Sequence, residues 1–330
     1  MLLVGDIGGT WAKLALVAPG GDGATVPAAE AALATKDYST LEELVRAFLR
    51  PMRAAVERAV FAVAGPVVRG SATLTNLGWV LDEARLREAL GISSVALIND
   101  LVAKAYAVPH LGPKSLHTLQ RGVVDPGGSI AVVAPGTGLG ESFLTWDGDR
   151  YRAHASEAGH SDFAPVDDLQ VELLRWLSRD LDHVSFERVC SGRGVPNLYR
   201  FLEDRGGAPR SSRTAAQLQT AEDPTPVIFA AGLDERDPCA LSVATVQLFA
   251  AILAAEAGNA ALRVLATGGV YLAGGLPRRL LPILSRPEFL ERFQRKGRLK
   301  PVLSRIPLHV VTRANVGLLG ARHYAVQGHS

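Results

Sequence analysis

Val4-Gly5-Asp6-Ile7-Gly8-Gly9-Thr10 runs an apolar strand pattern straight into an acidic, glycine-rich turn. Ala12 to Val17 is apolar again, so the stretch reads as two strands joined by a turn rather than as a strand-to-helix step. Glycine has no Cβ, so Gly8 and Gly9 let the backbone come close to a phosphate, with Gly5 to Thr10 as the candidate contact. Asp6, near the strand end, is placed to aim a carboxylate at a metal ion that bridges phosphate oxygens. The same residues also suit an ordinary hairpin, so the motif needs support from the rest of the chain. Support comes 130 residues later, where a strand at Ser129 to Ala134 meets Gly136-Thr137-Gly138-Leu139-Gly140 and a strand at Glu141 to Trp146 follows. The recurrence reads as a coarse internal duplication.

Outward from the first turn, Gly20 to Pro27 reads as a loop and Ala29 to Thr35 as a third strand. Thr40 opens a helix with Leu41, Leu44, Val45 and Phe48 on one face, and Pro51 follows its end. Arg58 to Ala64 is a buried-type strand, and Asp82 caps a helix that stops at Gly91. Ser94 to Ile98 is a strand that delivers Asn99-Asp100 to a helix over 101–108. Leu111 to Gly128 reads as a loop-rich crossing and hinge. Past the second turn come helices at Asp167 to Arg179 and Val195 to Glu203, then a polar, mobile-looking stretch from Asp204 to Pro226. An alanine-rich buried helix spans Leu241 to Glu256, with strands at Val264 to Thr267 and Val270 to Ala273. Gly274-Gly275 then turns the chain into another helix. The last helix starts on Asn315 as its cap and carries a small-residue face at Gly317, Gly320 and Ala321. The expected architecture is α/β in two domains, 1–110 joined by 315–330, and 111–314.

With 330 residues, 48% hydrophobic and 21% charged, the composition is that of an ordinary globular protein of about two domains. A net charge of +2 gives no field for collecting nucleic acid or an anionic membrane. The basic run Arg286 to Lys300 reads as a solvated helix face. Two cysteines, Cys190 and Cys239, without CxxC spacing, disfavour a disulfide framework and a cysteine-based zinc site. No secretory leader pattern or spanning apolar run is read, and a cytoplasmic location is expected.

A dinucleotide fingerprint is rejected, because GxGxxG needs glycine where Glu141 stands and the turn leads into a strand. No GxxxxGK[ST] run occurs, which excludes a P-loop, and His160-Ser161-Asp162-Phe163 is no kinase DFG. Three glycine turns at strand ends, the third at Gly274-Gly275, favour a nucleotide clamp. Asn99-Asp100 at a strand-to-helix junction reads either as a cap or as a carboxylate placed to take a proton from an attacking hydroxyl. Glu157, His160 and Glu187 add acceptors and a donor of the kind a polyhydroxyl ligand needs. Each also has a structural reading, as a hydrogen-bonded histidine or a surface glutamate.

Taken in order, these motifs resemble those of the bacterial glucokinases of the hexokinase–actin–chaperone ATPase superfamily, specifically the zinc-free enterobacterial type. Val4 to Thr10 resembles the first phosphate loop, Leu97-Ile-Asn-Asp-Leu the connector with the catalytic aspartate, and Gly136 to Gly140 the second phosphate loop. Glu157 to Pro165 resembles the sugar-binding turn, Glu187 to Gly192 the segment with the last sugar glutamate, Gly268 to Gly275 the adenosine motif, and Gly317 to Ala321 the second connector. The resemblance implies a two-domain actin-like ATPase (ribonuclease H-like) fold with an interdomain active-site cleft that closes on the sugar. It implies ATP-dependent conversion of D-glucose to glucose 6-phosphate, the first step of glycolysis, with Asp100 as general base. Asn99, Asp100, Glu157, His160 and Glu187 would bind glucose or a related hexose. Gly5, Asp6, Ile7, Gly8, Gly9, Thr10, Gly136, Thr137, Gly138, Gly274 and Gly275 would hold ATP, with Asp6 near Mg²⁺, directly or through water. A homodimer is expected. Two positions depart from the family pattern: Trp11 replaces a usual Asn, and Ala158 replaces a usual Gly. The competing readings are a kinase for another hexose, a non-catalytic sugar-responsive regulator, and an ATPase acting on protein partners.

Overall fold

The computed structural model describes residues 1–18, 27–52 and 54–327. In chain order the strands are β1 (Leu2–Ile7), β2 (Trp11–Val17), β3 (Ala29–Ala34), β4 (Arg58–Val63), β5 (Ser71–Leu74), β6 (Trp79–Asp82) and β7 (Ser94–Asn99). They continue with β8 (Leu116–Gln120), β9 (Ile130–Pro135), β10 (Leu139–Trp146), β11 (Tyr151–Ser156), β12 (Gly269–Leu272) and β13 (Leu308–Val311). The chain divides into two units. Unit 1 holds Met1–Lys114, Asp147–Ala155 and Arg313–Ser330, and unit 2 holds Ser115–Trp146 and Ser156–Thr312.

In unit 1 the strand order is β3-β2-β1-β4-β7. β1 pairs antiparallel with β2 and parallel with β4, and β4 pairs parallel with β7. Both faces of β1 are covered, which is why its sequence is an unbroken apolar run rather than an alternation. Leu3 and Ile7 join Leu41, Leu44, Val45 and Phe48 of the helix Leu41–Leu49 on one face. Leu2 and Val4 join Ala103, Leu318 and Ala321 on the other. That second face is closed by the helices Asp100–Ala107 and Val316–Gln327. The two helices touch backbone to backbone, since a Cβ on Gly320 would run into the Ala103 carbonyl oxygen. The small-residue face of the last helix is therefore a close-packing surface at Gly320.

In unit 2 the strands run β10-β9-β12-β13-β8. β9 pairs antiparallel with β10 and parallel with β12, and β12 pairs parallel with β13. An antiparallel hairpin followed by two parallel neighbours is the pattern of β2-β1-β4-β7, so the duplication expected from the glycine turns is present at the level of topology. The core is built on the helix Ala240–Arg263, with Phe249 meeting Phe229 edge to face at 5.6 Å. Among the described residues this is the one helix long and apolar enough to cross a membrane, and its apolar window is 72% buried within the fold.

Several expectations need correction. Leu111 to Gly128 is not loop throughout, because β8 lies in it and pairs with β13. The run Val264–Thr267 is a turn after the long helix, with Leu265 at φ +48°, and the strand begins only at Gly269. Asp204 to Pro226 contains the helix Ser212–Thr220, capped by the Ser211 hydroxyl, and the start of another at Pro224. Asn315 does not cap through its side chain. At φ +57° it accepts from Lys13 Nζ at 2.7 Å and donates to Glu30 at 3.2 Å. The first unit extends to Lys114 and also takes in Asp147–Ala155, where Arg150 donates to the Gln327 carbonyl at 2.5 Å. The hairpin β5–β6 and the strands β8, β11 and β13 were not anticipated. Apart from Pro27, the loop expected over 20–27 lies outside the described residues, as do 328–330 of the terminal segment.

Candidate active site

The first glycine turn, Gly8 to Thr10, links Ile7 to Trp11, and Gly8 N–H donates to the Trp11 carbonyl at 3.0 Å. Thr35 ties down the next two carbonyls: its hydroxyl donates to Gly9 O and its N–H to Thr10 O, both at 3.0 Å. With the carbonyls held, the N–H groups of Gly9 and Thr10 have no acceptor among the described residues. The second turn repeats the arrangement. Gly136 O accepts from Gly192 N–H at 2.7 Å, Thr137 O accepts from Arg193 N–H at 3.2 Å, and Gly136 N–H bonds Gly138 O at 2.8 Å. That leaves Thr137 and Gly138 N–H without an acceptor among the described residues. Paired free N–H groups on a rigid turn form an anion-binding concavity.

Gly5 and Ile7 are placed differently. Both are buried within β1, and a Cβ on Gly5 would sit 2.8 Å from side-chain atoms of Leu14 and Phe61. Gly5 is required by packing, and only Gly8, Gly9 and Thr10 of that run are open. Gly274, at φ +97°, turns the chain at the end of β12 into the helix Gly275–Arg279.

Asn99 ends β7 and caps the helix Asp100–Ala107, its Oδ1 accepting from Leu101 N–H at 2.8 Å and from Val102 N–H at 3.3 Å. Its Nδ2 donates to Gly65 O at 3.0 Å, so one amide N–H remains for another partner. Asp100 follows as the first helical residue, and its Oδ2 accepts from Lys104 Nζ at 2.6 Å. Asp6 is partly buried nearby. Burial pushes its carboxyl above the ordinary value, Lys104 opposes that shift, Asp100 adds to it, and Lys13 opposes it more weakly. The start of the helix Val316–Gln327 passes directly over Asp6, and a Cβ on Gly317 would meet its Oδ2 at 2.5 Å. These four charged side chains form the acidic and basic cluster of unit 1.

In unit 2, Ala158–His160 is a tight 3₁₀ turn in which His160 N–H donates to Glu157 O at 2.9 Å. The residue that must be glycine here is Gly159, because a Cβ would collide with the Leu139 carbonyl. Ala158 fits without strain, so its departure from the family pattern leaves the turn intact. Glu187 sits on the short turn Phe186–Arg188 and accepts from Leu139 N–H through Oε2 at 2.9 Å, close against Gly138. One carboxylate oxygen thus braces the second glycine turn, and the other is free of a partner among the described residues. His160 and Glu187 line one pocket of about 250 Å³ with Asp182, His183, Ser185, Arg188 and Arg193. Glu157 and His160 are solvent-exposed, and His183 pairs with Asp162 at 3.0 Å. No group of three or more His, Cys, Asp or Glu among the described residues is arranged to hold a metal ion.

The glucokinase family profile matches residues 3–328. The chain belongs to the glucokinase family. It is 40% identical over 334 residues to the glucokinase of Nostoc punctiforme, covering 97% of each chain. The crystal structure of a glucokinase from an Antarctic psychrotroph superposes with a TM-score of 0.83 at 31% identity, covering 99% of both chains. A ROK family glucokinase from Streptomyces griseus, solved with glucose and AMPPNP, shares the fold at a TM-score of 0.65 and 19% identity, covering 99% of each chain. Within this glucokinase-family chain, the sequence reading missed Lys104, Arg188, Arg193 and His183. Lys104 had a legible signal, since Asp100 and Lys104 are four apart on one helix. Arg193 had a fainter one in its glycine flanks, Gly192 and Gly194, which let its backbone reach Thr137.

Proposed function

We propose that this chain transfers the γ-phosphoryl group of ATP to the 6-hydroxyl of D-glucose, with Asp100 as the general base. The observation that carries this is the Asp100 carboxylate itself, fixed at a helix start through one oxygen and without a partner at the other among the described residues. Family membership and the ligands of the Streptomyces griseus structure support the choice of substrates. The proton of the acceptor hydroxyl passes to Asp100 Oδ1, the sugar oxygen bonds Pγ, and the Pγ–O bond to ADP breaks. Such a transfer asks the protein mainly for positioning and charge stabilisation. The N–H groups of Gly9, Thr10, Thr137 and Gly138 serve as donors to phosphate oxygens. Glu157, His160 and the free oxygen of Glu187 take the remaining sugar hydroxyls, with the spare Asn99 N–H as a further donor. Asp6 is a hard oxygen ligand of the kind Mg²⁺ takes, directly or through water, and the cation neutralises phosphate charge when it is bound.

ADP release with Mg-ATP, measured across glucose, mannose, fructose, glucosamine and N-acetylated hexoses, tests the reading. Glucose should stimulate turnover, and Asp100→Ala should lose about 10²–10⁴-fold in kcat. An ATPase rate independent of sugar, or an Asp100→Ala variant as active as the original, would overturn it. Preference for another hexose would keep the mechanism and move the specificity to the turn around Ala158.

A further inference from the structure

Lys104 stands one helical turn beyond Asp100, and its ammonium lies 2.6 Å from Asp100 Oδ2. On an open helix face such a pair contributes little, because water competes for both charges. Here the two side chains are only 23% and 22% exposed, beside the partly buried Asp6. Lys104 acts on Asp6 as well, and Lys13, the other cation near Asp6, is held by Asn315 at 2.7 Å. The cluster therefore has two carboxylates and two ammonium groups, and Lys104 is the cation hydrogen-bonded to Asp100. A carboxylate offers two oxygens. Oδ2 is taken by Lys104, whereas Oδ1 has no side-chain partner among the described residues.

We infer that Lys104 is a positioning residue for phosphoryl transfer: it holds Asp100 by Oδ2 so that Oδ1 is the oxygen presented to the acceptor hydroxyl. The inference rests on the reading of Asp100 as the base. During the reaction the hydroxyl proton moves to Oδ1 as the O–Pγ bond forms and ADP leaves with the electron pair of the broken Pγ–O bond. Lys104 keeps its three protons throughout. Its bond to Oδ2 holds the carboxyl in one orientation while Oδ1 takes the proton. A cation that only stabilised the helix would have no such coupling to the proton transfer.

The test compares the original chain with Lys104→Met, Lys104→Arg, Asp100→Ala and the Asp100→Ala/Lys104→Met pair, by steady-state kinetics with glucose and Mg-ATP and by thermal melting. Lys104→Met should lower kcat about tenfold, a fraction of the whole contribution of a positioned base. Both KM values should stay within about twofold, with little change in melting temperature, which separates loss of transition-state stabilisation from uniform binding. Lys104→Arg keeps a cation at this position and should restore most of the loss. In the Asp100→Ala background, Lys104→Met should cost nothing further, because the residue acts through Asp100. A Lys104→Met kcat within about twofold of the original, or an equal loss with and without Asp100, would overturn the inference while leaving the glucokinase reading standing. Absence of glucose-dependent turnover in the original chain would instead overturn both.

Discussion

Glu141 and Glu256 are buried side by side in unit 2, and both reach the guanidinium of Arg263, Glu141 at 3.1 Å. Burial, reinforced by the neighbouring negative charge of Glu256, pushes the Glu141 carboxyl from 4.5 up to about 9. Between those values the folded state holds a proton that the unfolded state has released, so this group makes stability fall as pH rises across that window. Glu141→Gln removes the titration. Its melting temperature should decline less between about pH 6 and about pH 9 than that of the original chain, by roughly 3 °C. Melting curves at the two pH values check this, and parallel declines would contradict it. At this scale, residues whose role is local were legible: Asp82 and Thr40 cap their helices as read, and Asn99 does cap its helix. Roles set by distant neighbours were not. Nothing near Glu187 in sequence indicates that it braces Leu139, and nothing near Gly159 indicates the Leu139 carbonyl that excludes a side chain there.

The helix Val316–Gln327 shows how an element can depend on one missing methyl group. Gly→Ala in a helix interior ordinarily gains up to about 1 kcal/mol from backbone entropy. At Gly320 the added Cβ meets the Ala103 carbonyl of the helix Asp100–Ala107, so the sign reverses. Gly320→Ala should cost about 2–3 kcal/mol and should also lower kcat, because the displaced helix carries Asp100. Chemical denaturation and glucose-dependent kinetics measure the two effects, and a stabilised variant would show that the contact relaxes freely. This packing was readable from Gly317, Gly320 and Ala321. Strands with a strong apolar run, β1, β4, β7 and β9, were readable too. β8, Leu-His-Thr-Leu-Gln, was not, because it is a sheet-edge strand whose pairing with β13 is decided by contacts far along the chain. Val264–Thr267 misled in the opposite sense, having apolar composition where the left-handed Leu265 makes a turn.

At the scale of the whole chain, the two-unit α/β organisation followed from length and from the repeated strand–glycine–strand pattern, whereas the allocation of Asp147–Ala155 to unit 1 had no marker in composition. Unit 1 is assembled from three stretches of chain, and one face of its sheet is covered by a helix that follows all of unit 2. A chain ending at Thr312 should therefore keep slow amide exchange in β9 and β12 but lose it in β1 and β4, where Leu2, Val4, Val60 and Ala62 would face water. Exchange measured by mass spectrometry decides the point, and unchanged protection in β1 would show that the sheet stands without its cover. The same discontinuity sets an order of events on the ribosome. At about 5–20 residues per second, some ten seconds or more separate the emergence of β7 from that of the helix which completes its sheet. During that interval the sheet face formed by Leu2, Val4, Val60 and Ala62 lacks the helix that covers it, which gives chaperones a reason to hold the newborn unit 1.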